Sequence, residues 1–179
     1  QNFTVFEPVD GRIIKKIPRY QQFRAVHKTI ERLKDGETPK DKSGVIWHTQ
    51  GSGKSLTMVF LTIKMRRDPE LRDYKLVFLT DRTQLDNQLT STFSNAQGET
   101  IRHADSVKSL KELLASDASD IITAMVQKFQ ESADDLEFPV LNNSEKIIIL
   151  ADEAHRTQYG ALGAAINTAL PKKNINYWR

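Results

Sequence analysis

Short apolar runs of strand length alternate along the chain with longer stretches in which apolar residues recur at helical spacing. The runs that predict strands lie at 45–47, 75–80, 121–126 and 146–151, with shorter candidates near 99–102 and at 174–178. After a first helical stretch that ends near residue 36, the others are 54–66, 83–93, 107–115 and 158–169. This alternation favours a mainly parallel sheet whose strands are joined by crossover helices.

Signals at the helix ends support these assignments. Phe23, Val26 and Ile30 fall on one face of the first predicted helix, and Gly36 supplies a stop. Ser106 is typical of a helix N-cap because its hydroxyl can accept a hydrogen bond from a free backbone N–H of the first turn. The sequence therefore predicts where at least two of the helices end or begin.

The segments outside these elements are also informative. Residues 1–18 predict an irregular or β-like lead segment, with Pro8 and Pro18 as breakers. Residues 37–43 (ETPKDKS) predict a polar loop, and 45–47 (VIW) predict a short buried strand. We therefore expect a lead segment at 1–18 and one compact domain over 19–179.

Composition narrows the class of protein. A length of 179 residues suits one domain, and 39% hydrophobic with 27% charged residues argues against disorder or a fibre. No apolar run approaches the roughly 18 residues of a membrane span, so we expect no membrane contact. The absence of cysteine excludes disulfides and thiolate metal sites, and the net charge of +3 leans mildly towards anionic partners. Because the chain begins at Gln1, we expect a piece of a longer protein.

The strongest chemical signal is the segment 48–55 (HTQGSGKS), which lies between a predicted strand and a predicted helix. Gly51 and Gly53 allow backbone N–H groups to approach phosphate oxygens closely, at the positive end of the following helix. Lys54 can reach the β- and γ-phosphates, and the Ser55 hydroxyl can bind Mg²⁺. The predicted nucleotide-binding residues of this loop are Thr49, Gln50, Gly51, Ser52, Gly53, Lys54 and Ser55. The alternative is a glycine-rich turn that only caps a helix.

A second signal follows the most apolar run, 146–151, which leads into Asp152 and Glu153. A carboxylate at the carboxyl end of a buried parallel strand lies where α/β sheets hold ligands. Asp152 can hold Mg²⁺ through water, and Glu153 can polarise an attacking water. The length of chain between Lys54 and Asp152 leaves room for intervening strand–helix units, so both can share one sheet edge. The alternative is an acidic N-cap region of the next helix.

Taken in order, the motifs resemble a known family. The segments 47–58 (WHTQGSGKSLTM), 78–89 (FLTDRTQLDNQL), 126–129 (VQKF) and 152–160 (DEAHRTQYG) closely resemble the restriction (R) subunit of type I restriction–modification enzymes. The segment 18–22 (PRYQQ) resembles the adenine-side motif of that family, whose motors belong to helicase superfamily 2. A strict phosphate-loop pattern would place glycine at residue 48, where this chain has histidine; the loop of this family resembles HTQGSGKS as it stands.

The resemblance implies a three-layer α/β/α RecA-like domain that uses ATP and Mg²⁺. It implies that Gln22 reads the adenine edge, for which a surface glutamine is the alternative reading. It also implies that His155 links the γ-phosphate site to a neighbouring domain, although this histidine could instead cap local backbone groups. The residues expected to act in catalysis are Lys54, Asp152, Glu153 and His155, with Ser55 and Asp152 at the metal.

The resemblance further implies contacts with the DNA backbone at two strand ends. The residues concerned are Thr80, Asp81 and Arg82 after one strand, and Thr123, Gln127 and Lys128 around another. Hydroxyl and guanidinium groups at strand ends suit phosphate oxygens. An ordinary strand-to-helix loop, and a solvated charge at Lys128, are the alternatives.

Type I R subunits are ATP-driven translocases of double-stranded DNA that also cut it, together with modification (M) and specificity (S) subunits, in the prokaryotic cytoplasm. If the resemblance holds, the chain contains one half of the motor, without the nuclease domain and the second RecA-like domain. We then expect it to bind nucleotide and to hydrolyse it poorly. The alternatives are another superfamily 2 DNA or RNA helicase and a nucleotide-binding scaffold without turnover. A kinase is disfavoured because the adjacent Asp152 and Glu153 fit a hydrolase with an activated water better. A GTPase and a transporter ATPase are disfavoured because the sequence has no guanine-reading NKxD and no LSGGQ-type signature.

Overall fold

In a computed structural model of the chain, the described residues are 3–9, 11–47, 49, 52–80, 87, 101–125, 138–152 and 160–178. The strands are β1 (Val5–Val9), β2 (Arg12–Lys16), β3 (Gly44–Ile46), β4 (Lys75–Thr80), β5 (Ile101–Ala104), β6 (Ile121–Met125), β7 (Ile147–Asp152) and β8 (Asn174–Trp178). The helices are α1 (Tyr20–Asp35), α2 (Pro39–Lys42), α3 (Lys54–Arg66), α4 (Val107–Ala115) and α5 (Gly160–Ala169).

Six strands form one sheet in the order β3-β8-β7-β4-β6-β5, and each neighbouring pair is parallel. Parallel neighbours need crossover connections, which the helices between the strands supply. The predicted parallel sheet is therefore confirmed. Strand β8, which the sequence predicted only as a possible start, pairs on both sides, with β3 and with β7.

The sheet is covered on both faces, which makes three layers. On β4, Leu76 and Phe78 pack in one apolar cluster with residues of α1 and α3. Val77 and Leu79, which point to the opposite face, pack in a second cluster with residues of α4 and α5. Every residue of β4 and of β7 is buried, because other elements cover both faces of these strands. Burial on both faces also explains why their sequences are mostly continuous apolar runs. The predicted α/β/α arrangement is confirmed.

The helix ends follow local chemistry. Helix α1 ends at Gly36, whose N–H donates to the carbonyl of Arg32. Helix α4 begins after Ser106, whose hydroxyl accepts a hydrogen bond from the N–H of Ser109 at 3.1 Å. Both boundaries are those that the sequence predicted.

Two predictions for the segments before the phosphate loop need correction. The polar stretch 37–43 contains the one-turn helix α2, because Thr38 and Asp41 cap each other's backbone N–H groups in front of Pro39. The stretch 45–47 is not a buried strand: Val45 is 65% exposed and Trp47, after the end of β3, is 71% exposed. Among the described strands β3 pairs only with β8, so it lies at the edge of the sheet.

The lead segment is a two-stranded hairpin. Strands β1 and β2 form an antiparallel hairpin, and Gly11 at its turn has a φ of 74°. The β-like reading of residues 1–18 is therefore the correct one.

Of the predicted helix 83–93, only Asn87 is described, and it is helical. No described helix is both long enough and apolar enough to span a membrane.

A buried lysine joins two elements at the amino edge of the sheet. Lys75, the first residue of β4, is 3% exposed, and its Nζ donates to the carbonyls of Leu113 and Ser116, each at 2.5 Å. These carbonyls lie at the carboxyl end of α4, where a cation is favourable. Burial lowers the pKa of Lys75 below its usual value of 10.5, although Asp120 and Asp117 raise it in part. Lys75 therefore holds α4 against the sheet, far from the opposite edge, where the candidate site lies.

Candidate functional site

The strand register brings the two motifs to the same edge of the sheet. Asp152, the last residue of β7, pairs with Trp178 of β8, and Trp178 pairs with Ile46, the last residue of β3. Asp152 and the end of β3 are therefore two strand spacings apart, or roughly 10 Å. Because all these strands are parallel, the loop that follows β3 and the carboxylate that ends β7 lie at one carboxyl edge.

The phosphate loop passes into α3 through one glycine. Gly53 is the N-cap of α3 and has φ 83° and ψ 41°, in the left-handed region that glycine adopts without cost. Its carbonyl accepts hydrogen bonds from the N–H and the hydroxyl of Thr57, both at 3.0 Å. Earlier in the loop, the N–H of Ser52 donates to the carbonyl of Thr49 at 3.0 Å. This turn fixes the amino end of the helix.

The first turn of α3 carries Lys54 and Ser55, both partly buried. It contains no acidic residue, so no carboxylate of that turn opposes an anion there. The free N–H groups and the helix dipole favour negative charge at this end. The chemistry of the turn suits phosphate.

Gln22 is not the surface glutamine of the alternative reading, because it is only 3% exposed. Its Oε1 accepts a hydrogen bond from the N–H of Arg19 at 2.8 Å, and its Nε2 donates to the carbonyl of Gly53 at 3.0 Å. A Cβ added to Gly53 would lie 2.7 Å from that Nε2. Gln22 therefore ties the beginning of α1 directly to the phosphate loop, a contact that the sequence did not indicate.

A cavity of about 390 Å³ opens beside the loop. It is lined on one side by the first turns of α1, including Tyr20 and Gln22, and on the other by Trp47, Thr49 and Ser52. Its volume lies within the range of small-molecule sites. Two aromatic rings in its wall were missed from the sequence, where Trp47 counted only as an apolar strand residue.

The donor set for a metal is made of hard oxygens. Asp152 is 3% exposed at the end of β7, and the hydroxyl of Ser55 lies in the first turn of α3. Mg²⁺ binds one or two carboxylates or hydroxyls of the protein and completes its shell with water and phosphate oxygens. These two residues fit that ion, while the described residues contain no cluster of three or more His, Asp or Glu that could hold a metal.

The two threonines predicted to contact DNA are buried. Thr80, at the end of β4, is 0% exposed, and Thr123, in the middle of β6, is 3% exposed. The hydroxyl of Thr123 is 2.9 Å from Nδ1 of His103 on the neighbouring strand. In this structure neither threonine presents its side chain to solvent, so their contact with DNA stays a prediction.

Several predicted site residues lie outside the described part of the chain. They are Gln50, Gly51, Asp81, Arg82, Gln127, Lys128, Glu153 and His155. The structure thus brings together the described members of the nucleotide set, namely Gln22, Thr49, Ser52, Gly53, Lys54 and Ser55, at the same sheet edge as Asp152.

Comparison with known proteins agrees with this geometry. The profile of the SWI2/SNF2 ATPase family matches residues 21–176. The chain is 44% identical over 166 residues to the putative type I restriction enzyme MjaIXP endonuclease subunit of Methanocaldococcus jannaschii, covering 90% of this chain and 16% of that protein. It is 38% identical over 165 residues to the type I restriction enzyme HindI endonuclease subunit of Haemophilus influenzae, covering 88% of this chain and 16% of that protein.

The chain thus spans 16% of the length of these curated relatives. Among solved structures, the UvsW helicase from bacteriophage T4 superposes with a TM-score of 0.54 at 14% identity, over 98% of this chain and 55% of that chain. At that identity the likeness shows the fold alone. The resemblance predicted from the motifs is confirmed by the curated relatives, and the α/β fold by the superposition.

Proposed function

Because the chain belongs to the SWI2/SNF2 ATPase family, we propose that it is the ATP-binding half of a DNA-translocating motor. Its relatives suggest that this motor is part of the endonuclease (R) subunit of a type I restriction enzyme. The observation that carries the proposal is the junction of β3 and α3. There Gly53, in the left-handed conformation, caps a helix that begins with Lys54 and Ser55. Ile46, the last residue of β3, is level with Asp152 two strands away.

In this proposal the triphosphate lies at the amino end of α3. Backbone N–H groups of the loop hold its oxygens, and Lys54 balances the charge of the β- and γ-phosphates. Thr49 and Ser52 border the same space, since both line the adjoining cavity. Gln50 and Gly51 are assigned to the loop from the sequence.

Bound Mg²⁺ would neutralise charge on the phosphates. Ser55 and Asp152 are the residues proposed to hold it. Glu153 is proposed to accept a proton from the attacking water, and His155 to connect the γ-phosphate site with a neighbouring domain. Glu153 and His155 are assigned from the sequence, next to the end of β7.

Gln22 is proposed to contact the adenine base of the nucleotide. In this structure its amide is engaged with the backbone of Arg19 and Gly53. To read an adenine edge, it would have to exchange at least one of these hydrogen bonds. Either way, Gln22 joins the base side of the site to the phosphate loop.

The contacts with double-stranded DNA are proposed for the loops that follow β4 and β6. Thr80 and Thr123 are buried, so we assign the phosphate contacts first to the residues after them: Asp81, Arg82, Gln127 and Lys128. Such contacts read the backbone, so binding is independent of sequence and sensitive to salt. Target choice would then fall to the M and S subunits.

The rest of the motor is proposed to lie in other parts of a longer protein. A second RecA-like domain would complete the ATP site, and a nuclease domain would cut the DNA, in the prokaryotic cytoplasm. Residues 19–179 form the motor domain and 1–18 its lead segment. We therefore propose that the chain alone hydrolyses ATP poorly.

The proposal is tested by ATP turnover in two forms of the protein, the 179-residue chain and a longer protein that adds the second motor domain. We expect low turnover in the first, and turnover stimulated by duplex DNA in the second. Stimulation by RNA but not by duplex DNA would support another superfamily 2 helicase instead. High turnover by the isolated chain would contradict the proposal that a second RecA-like domain is needed to complete the ATP site.

A further inference from the structure

The outer face of the β1–β2 hairpin is an exposed apolar surface. Phe6, Ile13 and Ile17 are 61%, 76% and 66% exposed. Directly opposite residues of an antiparallel pair share a face, and side chains alternate between faces along each strand. Phe6 pairs with Lys15, and Ile13 is two positions from Lys15, so these three side chains share one face. Ile17 follows β2 directly. The surface formed by Phe6, Ile13, Lys15 and Ile17 is named the hairpin patch.

The opposite face of the hairpin packs on the domain described above. Val5 is 4% exposed and belongs to the apolar cluster that includes residues of α1 and α3. Phe3, before β1, has its ring centroid 4.8 Å from that of Phe23 and 6.2 Å from that of Phe60. A hairpin of two strands is only marginally stable alone, so these contacts hold it on the helices. The hairpin patch therefore points away from the body that supports it.

The distribution of apolar residues in the hairpin is typical of strands covered on both faces. In β2, Ile13 lies on the outer face and its neighbour Ile14 on the inner face. Exposure is also concentrated here, because six of the nine exposed large apolar residues that the structure describes lie between Phe6 and Phe23. Scattered apolar residues on a surface are ordinary, but a contiguous exposed patch marks an interaction site. The six residues are Phe6, Ile13, Ile14, Ile17, Tyr20 and Phe23.

The length of the related proteins indicates what covers the patch. The chain spans 16% of its curated relatives, so most of such a protein consists of other domains. A domain of the same polypeptide reaches the patch at an effective concentration that is roughly millimolar for a short linker, which favours it over a separate protein. Lys15 places a positive charge among the apolar side chains. The surface that fits is therefore apolar, with a carboxylate opposite Lys15.

We propose that the hairpin patch is the docking surface for another domain of the same longer protein, and that this domain contributes an apolar face with a carboxylate. The inference goes beyond nucleotide binding. It rests on the proposed function in one respect, namely that the chain is part of a longer protein.

The test measures how fast a thiol in the patch is alkylated by iodoacetamide. The 179-residue chain contains no cysteine, so Ile13→Cys and the control Val140→Cys each provide a single thiol in it. Val140 is a matched position because it is 55% exposed and lies outside the hairpin. Both variants are made in the chain and in the full-length protein that contains it. Peptide mass spectrometry follows labelling at each position, and urea unfolding establishes that each chain variant is folded.

We expect Ile13→Cys to be labelled at least about tenfold more slowly in the full-length protein than in the chain, because a thiol under a docked domain reacts only when the interface opens. Val140→Cys should be labelled at similar rates in both proteins. Lys15→Glu, added to Ile13→Cys, should restore faster labelling in the full-length protein, since it places a negative charge opposite the carboxylate. Lys15→Arg, which keeps the positive charge, should leave labelling slow.

Several results would overturn the proposal. Labelling at position 13 that is equally fast in both proteins is one, and equal slowing at positions 13 and 140 is another, because the protection would then not be specific to the patch. Slow labelling of the 179-residue chain at high concentration alone would assign the patch to a second copy. Protection that appears only with added duplex DNA or a separate subunit would assign it to that partner. Titration of the wild-type chain with Mg·ATP tests the proposed nucleotide site separately.

Discussion

Replacing Gly53 by alanine perturbs the point where the phosphate loop enters α3. Two features of the structure oppose a side chain there. The φ of 83° lies in the left-handed region, and a Cβ would be 2.7 Å from Nε2 of Gln22. Because that nitrogen ends a flexible side chain, Gln22 can move aside, but it then loses its hydrogen bond to the Gly53 carbonyl.

The two effects have different sizes. The left-handed conformation costs an alanine about 1–2 kcal/mol relative to the right-handed one. Loss of the Gln22 hydrogen bond adds about 0.5–1.5 kcal/mol. We therefore expect Gly53→Ala to lower the free energy of unfolding by about 1.5–3.5 kcal/mol.

A double-mutant cycle with Gln22→Ala separates these contributions. In the Gln22→Ala background the hydrogen bond is already absent, so Gly53→Ala should cost only about 1–2 kcal/mol. The assay is urea unfolding followed by circular dichroism, with the slope m compared among the four proteins. The difference in the cost of Gly53→Ala between the two backgrounds is the coupling free energy between Gln22 of α1 and Gly53 of the loop.

Gly163 provides the matched control. It lies within α5, has no positive φ, and a Cβ added there meets nothing within 4 Å. Gly163→Ala should therefore stabilise the chain, by about 0.5–1 kcal/mol. A cost of less than about 0.5 kcal/mol for Gly53→Ala would contradict the left-handed strain at this position. An equal cost with and without the Gln22 side chain would mean that the Gln22 hydrogen bond adds nothing.

Three further predictions concern stability, and urea unfolding tests each. Lys75→Met removes the donor from the partly buried carbonyls of Leu113 and Ser116, at the carboxyl end of α4, and should cost about 1–3 kcal/mol at pH 7. Because burial lowers the pKa of Lys75, the folded chain releases this proton at lower pH than the unfolded chain. The difference in the free energy of unfolding between wild type and Lys75→Met should therefore widen as pH rises towards 10.5. A narrowing of that difference would contradict the lowered pKa. Thr123→Val loses the contact with His103 and should cost about 1 kcal/mol; no loss would mean that this bond adds nothing. Val45→Lys on the exposed edge should change stability by less than about 0.5 kcal/mol, whereas Leu79→Lys on buried β4 should prevent folding; similar effects would argue against the strand order.

Much of the fold could be predicted from local patterns. Strand β4 was predicted at 75–80 and is Lys75–Thr80, because a strand covered on both faces is apolar along its length. The Ser106 cap was visible because capping depends on neighbouring residues. Helix α2 also follows from a local signal, the Thr38–Asp41 capping box, although the polar composition of 37–43 predicts a loop.

What could not be predicted depends on pairing between distant segments. An apolar run does not tell which strand lies at the edge of the sheet, so the exposure of Trp47 was missed. Strand β8 looked incomplete, yet its pairing with β3 and β7 sets the spacing between the phosphate loop and Asp152. The bond from Gln22 to Gly53 spans 31 positions, and no periodicity encodes it. The type of chemistry was thus readable from the motifs, but not the contacts that hold the site in shape.

In the proposed site the amino end of α3 binds the phosphates of Mg·ATP, and titration of the chain with Mg·ATP measures this binding. Lys54→Ala is the test variant, and Lys64→Ala on the same helix is the matched control. We predict saturable binding by wild type and Lys64→Ala, and at least about tenfold weaker binding by Lys54→Ala. Equal binding by Lys54→Ala, or no binding by a folded wild type, would contradict the claim.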